Sequence, residues 1–345
     1  MGCGSFCCWS RNRPEPSRCR SYTRNRAINR KRLLPPLVSS LLGLLLGALL
    51  LAPTVGAASD PYVLEIEWGS PGSGAGQFTR PIGIATDPAG DVYVGDIVTG
   101  MIQRFNGQGG LVARWGGRGT GNGEFTTLQD LTVDAYGNVF ALDSIGNRVQ
   151  RFRDNGIWLI DWALPATVVN GTNSISAGGI ATDEEGFVYI ASPAHAAVLI
   201  TDPVGNEQRR LKAPAPARFQ VPTGVSVNAD ETVYVFDTFN RRVLPFDVDG
   251  VALKAITGAA TPEGGFHSLA RGDVVVDAGG DVFVADFASA RVHRFNADGT
   301  LQSSFVVRDA AGRKIMPGGI TLDAAGNIYV TAYYQGKVLK FAPTG

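Results

Sequence analysis

Short apolar runs separated by turn residues recur along the chain, and the stretch from Pro81 to Phe105 shows the pattern in full. Gly83 to Thr86 is short and apolar, Asp87 to Asp91 carries Asp, Pro and Gly, and Val92 to Val94 returns as a β-branched and aromatic run. This order predicts a β-hairpin. The Asp87 side chain can accept backbone N–H groups around the turn, and Gly90 can supply the positive φ that closes it. Asp96 ends the second strand, Ile102 to Phe105 begins a third, and Leu111 to Trp115 makes a fourth. Alternation between apolar and polar positions is blurred, as expected for a small sheet covered on both faces.

Five further copies follow. Aligned on the turn residue they read Asp87, Asp134, Asp183, Asn228, Asp277 and Asp323, with spacings of 47, 49, 45, 49 and 46 residues. Most keep a glycine three residues later (Gly90, Gly137, Gly186, Gly280, Gly326), and the fourth puts Glu231 there. A period of this length with four strands per unit predicts an all-β chain folded as a six-bladed β-propeller of four-stranded antiparallel blades. The last unit stops at Gly345 without a fourth strand, while Val63 to Gly69 matches Leu111 to Gly116 at the other end. The N-terminal strand is therefore expected to complete the last blade and close the ring, covering two sheet edges.

The pattern G-x-G-x-F-x-x-P-x-G, then D-x-x-G-[ND]-V-[YF]-V-x-D, then an Asn/Arg loop and V-x-[RK]-F, resembles the NHL repeat family. Gly74 to Phe105 and Gly121 to Phe152 carry it best, and Thr238 to Val243 shows the loop. The resemblance covers residues 62 to 345. It implies a propeller but no single activity, since the family includes lyases, sensor domains and binders of protein or RNA.

Charge and the leader alter the picture ahead of the repeats. The first 32 residues hold nine Lys or Arg against one acid, and Leu33 to Ala58 has no charge, with its densest apolar part at Leu41 to Ala52. Residues 1–58 thus read as a basic leader with a signal peptide, and 59–345 as the propeller. The alternative is an uncleaved anchor at 33–58, although Pro35, Pro36 and the short apolar core fall below a usual span. Either reading places the propeller outside the cytoplasm, secreted or at the cell envelope.

All four cysteines (Cys3, Cys7, Cys8, Cys19) lie in the leader, so the propeller offers no disulfide, zinc-thiolate set or cysteine nucleophile. The whole chain balances 31 basic against 31 acidic residues; without the leader's nine and one, 22 face 30, a net of −8. An acidic propeller does not suit nucleic acid. Asn170-Gly171-Thr172 is a glycosylation sequon.

Candidate chemistry is sparse. The glycine-rich stretches Gly69 to Gly76 and Gly116 to Gly123 lack a Gly-Lys-Ser/Thr ending and read as loops between blades. Asp143 with Arg148, Asp237 with Arg242, and Asp286 with Arg291 recur as an Asp ending the second strand and an Arg five residues on, while Ser192 and Ala197 lack both. Such pairs suit an ion pair bracing the loop, which leaves Asp96, paired with Met101, the Asp most free for another role. First-strand residues facing the channel read Gly83, Asp130, Gly179, Gly224, Asp273 and Gly319, so the two acids face each other across the ring.

Asp130 and Asp273 are therefore the candidate pair for a cation or amine at the channel mouth. Rim loops add Arg80, Gln129, Thr223 and Arg271, with His195 and His267 on the same rim. His293 replaces Gln103 and Gln150 within a third strand and reads as a packing or surface residue. Irregular loops at Ala163 to Ala177 and Phe266 to Asp273 are where a partner would be read. The expected role is recognition of a protein, peptide or glycan through the loop rim, with no cofactor. The alternative is a lyase or hydrolase with Ca²⁺ or Zn²⁺ held by Asp130, Asp273 and His267.

Overall fold

The computed structural model describes residues 61–165, 168–169, 172–173, 178–267 and 271–344. The leader with its cysteines, the Asn170 sequon, and parts of the Ala163 to Ala177 and Phe266 to Asp273 loops lie outside them.

The described chain is a six-bladed β-propeller of four-stranded antiparallel blades. In blade 1 the strands Pro81–Thr86, Val92–Asp96, Met101–Phe105 and Leu111–Gly116 pair in sequence order. Blades 2, 3 and 5 repeat this meander from inner strands Leu128–Val133, Ile180–Thr182 and Gly272–Val276. Blade 6 consists of Pro317–Leu322, Ile328–Ala332 and Lys337–Pro343, with Tyr62–Trp68 as its outer strand, Trp68 opposite Val338. Blade 6 also packs beside blade 1 through their inner strands.

Blade 4 departs from the pattern. Its three strands Pro222–Val227, Val233–Asp237 and Arg242–Phe246 are followed, among the described residues, by isolated bridges from Ile256 to Val243 and from Ala252 to Phe246. Pro245 sits in the third strand with its carbonyl turned outward to the Leu253 N–H (2.8 Å). A proline there has no N–H to return, so the outer ladder breaks at that point.

The turns behave as their residues dictate. Asp87 accepts the N–H groups of Ala89 and Asp91, both at 2.9 Å, and Asp134, Asp277 and Asp323 hold their turns in the same way. The following glycines take φ from +77° to +89°. Glu231 is forced to +56°, a left-handed conformation that costs a non-glycine residue about 1 kcal/mol.

Among the described residues the core divides into six clusters, each between adjacent blades. A phenylalanine in the loops entering blades 1, 2, 4 and 5 is a plug: Phe78, Phe125, Phe219 and Phe266 are buried, and each packs on the phenylalanine ending a third strand. Ring centroids lie 5.7 to 6.1 Å apart in these pairs, and burial of one such ring contributes about 2–3 kcal/mol. Two single-turn 3-10 helices, Pro193–His195 and Thr238–Asn240, are the helical elements among the described residues.

Candidate functional site

The acids ending the second strands are structural clamps. Asp143 is fully buried and accepts the N–H groups of Thr126 (2.9 Å), Thr127 (2.8 Å) and Gly146 (2.9 Å), with Arg148 Nε 3.7 Å away. Asp237 accepts the Gln220 N–H at 2.6 Å and pairs with Arg242 at 3.1 Å. In blade 5, Asp286 accepts the His267 N–H at 2.9 Å, while Arg291 pairs with Glu263 at 2.5 Å. Asp143 and Asp237 thus tie the loop entering their blade to the loop leaving the second strand, and Asp286 holds the entering loop through His267.

Asp96 corrects the sequence reading. Far from being free, it is buried and accepts four backbone N–H groups, from Thr79 (2.6 Å), Arg80 (2.8 Å), Val98 (2.9 Å) and Thr99 (2.9 Å). Four donors satisfy the carboxylate without an arginine, which is why Met101 is tolerated in the usual arginine position.

The channel is organised by two carboxylates. Bulges shift the inner-strand register between Leu128 and Asp130, and between Pro222 and Gly224, as the strands enter the ring. Asp130 accepts the N–H of Ile180 in the next blade at 3.0 Å, and Asp273 accepts that of Ile320 at 3.0 Å. The neighbouring channel positions are glycines for lack of room. A Cβ on Gly83 would lie 2.9 Å from the Asp130 carboxylate, one on Gly224 would lie 3.0 Å from that of Asp273, and one on Gly319 would collide with the Ile82 carbonyl.

Both acids line two cavities of about 80 Å³, one on each side of this waist. The cavity at the mouth also has Gln129, Thr223 and Arg271 in its wall. Five of the residues singled out from sequence therefore come together. Thr223 is held by Thr238 Oγ1 (2.7 Å) and donates to the Gly272 carbonyl (2.8 Å).

The electrostatics of the pair are unusual. Burial pushes the Asp273 carboxyl up to about 6 against the Ile320 and Val274 N–H bonds that favour its ionised form. Burial, and then the charge of Asp273, hold the Asp130 carboxyl well above the usual carboxylate range. The pair takes on its second negative charge only at higher pH than two ordinary aspartates would.

An arginine and aromatic cluster borders the mouth. The Arg271 guanidinium lies 4.8 Å from the Tyr333 ring centre and that of Arg80 lies 5.8 Å from it. Tyr333 packs edge-on against Tyr334 (4.9 Å) and Phe287 (5.9 Å). Burial lowers the pKa of Arg271, and its Nη1 is buried without a hydrogen-bond partner. Tyr334 is 59% exposed. Sequence reasoning missed this aromatic group; its signal was the Tyr333-Tyr334 pair directly after Ala332, where four other blades have the clamping Asp and Ser192 stands in blade 3.

The histidines do not join the acids. His195 turns its Nδ1 to Ser192 Oγ (2.8 Å) and borders a separate cavity with Lys212 and Arg218. His267 is exposed, and its Nδ1 lies 3.0 Å from the Gly265 carbonyl. His293 is fully buried against Phe266 and Phe295. Among the described residues no group of three or more His, Cys, Asp or Glu is gathered as metal ligands, so the set Asp130, Asp273 and His267 does not assemble.

No family model matches the chain, and no curated protein matches its sequence. Solved structures do resemble it. The virginiamycin B lyase of Staphylococcus aureus is 16% identical over 81% of this chain and 99% of the lyase, with a TM-score of 0.58. A gluconolactonase from Xanthomonas campestris is 18% identical over 77% and 87%, with a TM-score of 0.57. The WD40 β-propeller domain of Doa1 is 12% identical over 78% and 80%, with a TM-score of 0.54. Two enzymes and a WD40 domain on one scaffold establish the propeller, and at these identities nothing beyond it.

Proposed function

We propose that this chain is an NHL-type propeller, exported through its leader, that recognises a protein, peptide or glycan at the rim of its channel mouth. The observation carrying this reading is the cluster of Arg80, Arg271 and Tyr333 beside the exposed Tyr334, set over a cavity that Asp130 and Asp273 close from below. Tyrosine and arginine on a rigid frame offer large contact area and directed donors with little side-chain freedom left to lose. The unpartnered Arg271 Nη1 supports an acceptor on the partner, such as a carboxylate or carbonyl oxygen.

Recognition is tested by presenting the purified full chain to peptide and glycan libraries and repeating the best hits with Tyr334→Ser and Arg271→Gln. Loss of about tenfold or more in affinity for both variants supports the rim as the binding face. Hits unaffected by either variant would remove the site from consideration.

A second reading keeps the same cavity but makes it catalytic. Two carboxyls with raised pKa in one cavity suit general acid and base work on a lactone or lyase substrate. A pH–rate profile with an ionisation near 6 that disappears in Asp273→Asn would favour it over recognition. Elemental analysis of the purified chain for Ca²⁺ or Zn²⁺ decides whether a metal takes part.

A further inference from the structure

Four blades share a device built from one cross-strand pair. The aromatic residue at the second position of the second strand faces a cation on the third: Tyr93 with Arg104, Phe140 with Arg151, Phe283 with Arg294, and Tyr329 with Lys340. Each cation lies over the ring, 5.3 to 5.8 Å from its centre. Three also meet acids: Arg104 reaches Asp91 and Asp154, Arg294 reaches Asp281, and Lys340 reaches Glu65. The chain thus fills these outer grooves with its own positive charges.

Blades 3 and 4 keep the ring and lack a cation at this cross-strand position, Tyr234 facing Pro245 in blade 4. Tyr189 faces Ile200, and a cavity of about 270 Å³ lies there between blades 3 and 4. Its wall holds Tyr189, Phe187, Asp183, Glu185 and Glu231. Arg209 is the one basic residue in that wall, and its Nη1 donates to the Val248 carbonyl (2.8 Å). Three acids against one base leave the cavity acidic. Burial, with Glu185 adding to it, raises the Asp183 pKa.

Glu231 supplies an independent sign. It occupies the turn position where the other five blades have glycine, at a φ of +56° that disfavours a side chain, and it lines this cavity. The turns of first and second strands lie on the face opposite the channel mouth, because each meander reverses direction at every turn.

We propose that this cavity binds the arginine or lysine side chain of a partner peptide, in the slot that Arg104, Arg151, Arg294 and Lys340 fill elsewhere in the ring. The ligand cation replaces the missing internal one: Tyr189 and Phe187 contribute apolar and aromatic surface, and Asp183, Glu185 and Glu231 contribute charge. This site is separate from the rim and stands or falls without it.

The test titrates the full chain with the N-acetyl amides of arginine and lysine, and with that of norleucine as an uncharged control. Saturable binding of a basic probe is expected, stronger than the control and weaker at high salt. Glu231→Gly installs the glycine of the other turns, so it keeps the fold while weakening binding by about tenfold. Ile200→Arg fills the slot from within and abolishes binding; if its buried position prevents folding, Glu185→Gln takes its place and must also weaken the probe. Equal affinity for norleucine, no saturation with either basic probe, or full affinity in Glu231→Gly would overturn the assignment.

Discussion

Asp130 and Asp273 each bind the inner strand of the following blade, Asp130 through the Ile180 N–H and Asp273 through the Ile320 N–H, both at 3.0 Å. The two acids therefore stitch blade 2 to blade 3 and blade 5 to blade 6, while the remaining channel positions are glycines that leave them room. The same bonds that hold the ring present a shared negative charge to the mouth cavity.

Stability should depend on pH through this pair. The folded Asp273 carboxyl titrates near 6, above its value of 3.8 in the unfolded chain, so the folded state holds the proton more tightly. Stability from this group is intact below 3.8 and declines as pH rises through 6. Asp273→Asn, which removes the charge, should gain about 1–2 kcal/mol at pH 8 relative to wild type and show no such gain at pH 4. Thermal melts at the two pH values check this; a gain of equal size at both would refute the charge argument.

Asp143 should prove essential for folding. Asp143→Ala strands the N–H groups of Thr126, Thr127 and Gly146 and leaves Arg148 without its buried partner, a loss of about 3–5 kcal/mol. Urea unfolding reads the change as a lower midpoint. A loss below 1 kcal/mol would mean water replaces the carboxylate.

The crowding of the channel is testable at Gly319. A methyl there meets the Ile82 carbonyl of the neighbouring blade, so Gly319→Ala should cost about 1–3 kcal/mol although the backbone φ is ordinary. Gly326→Ala gives the contrast: its Cβ meets nothing, and its cost should come from φ +77° alone. Melting temperatures of the pair separate crowding from backbone strain.

His293→Gln should stabilise the chain. Gln103 and Gln150 in the same slot accept the N–H of Gly76 (2.8 Å) and Gly123 (2.9 Å) and donate to the Gln77 and Glu124 carbonyls. Both ring nitrogens of His293 are buried without a hydrogen bond, though Nε2 lies 3.9 Å from Asp286. Restoring the amide pattern should add about 1 kcal/mol. Chemical denaturation would show it, and an unchanged or lower midpoint would mean that the Asp286 contact matters more.

What the chain alone determined is whatever repeats within a blade. The Asp-x-x-Gly turn closes over four residues, the hairpins join neighbours in sequence, and the Phe78-type plug sits three residues before the inner strand in blades 1, 2 and 4. Local bonds of this kind leave a periodic trace in sequence. The facing of Asp130 and Asp273 follows from counting blades. Tertiary structure decided the rest. Asp96 looked free because its four donors are backbone groups, which no side-chain pattern records. The stacking of Arg80 and Arg271 on Tyr333 joins three blades, and the cavity beside Ile200 is lined by Glu231 from the next blade. Those contacts link residues from different blades, and which side chains meet there is set by the radial packing of blades around the ring.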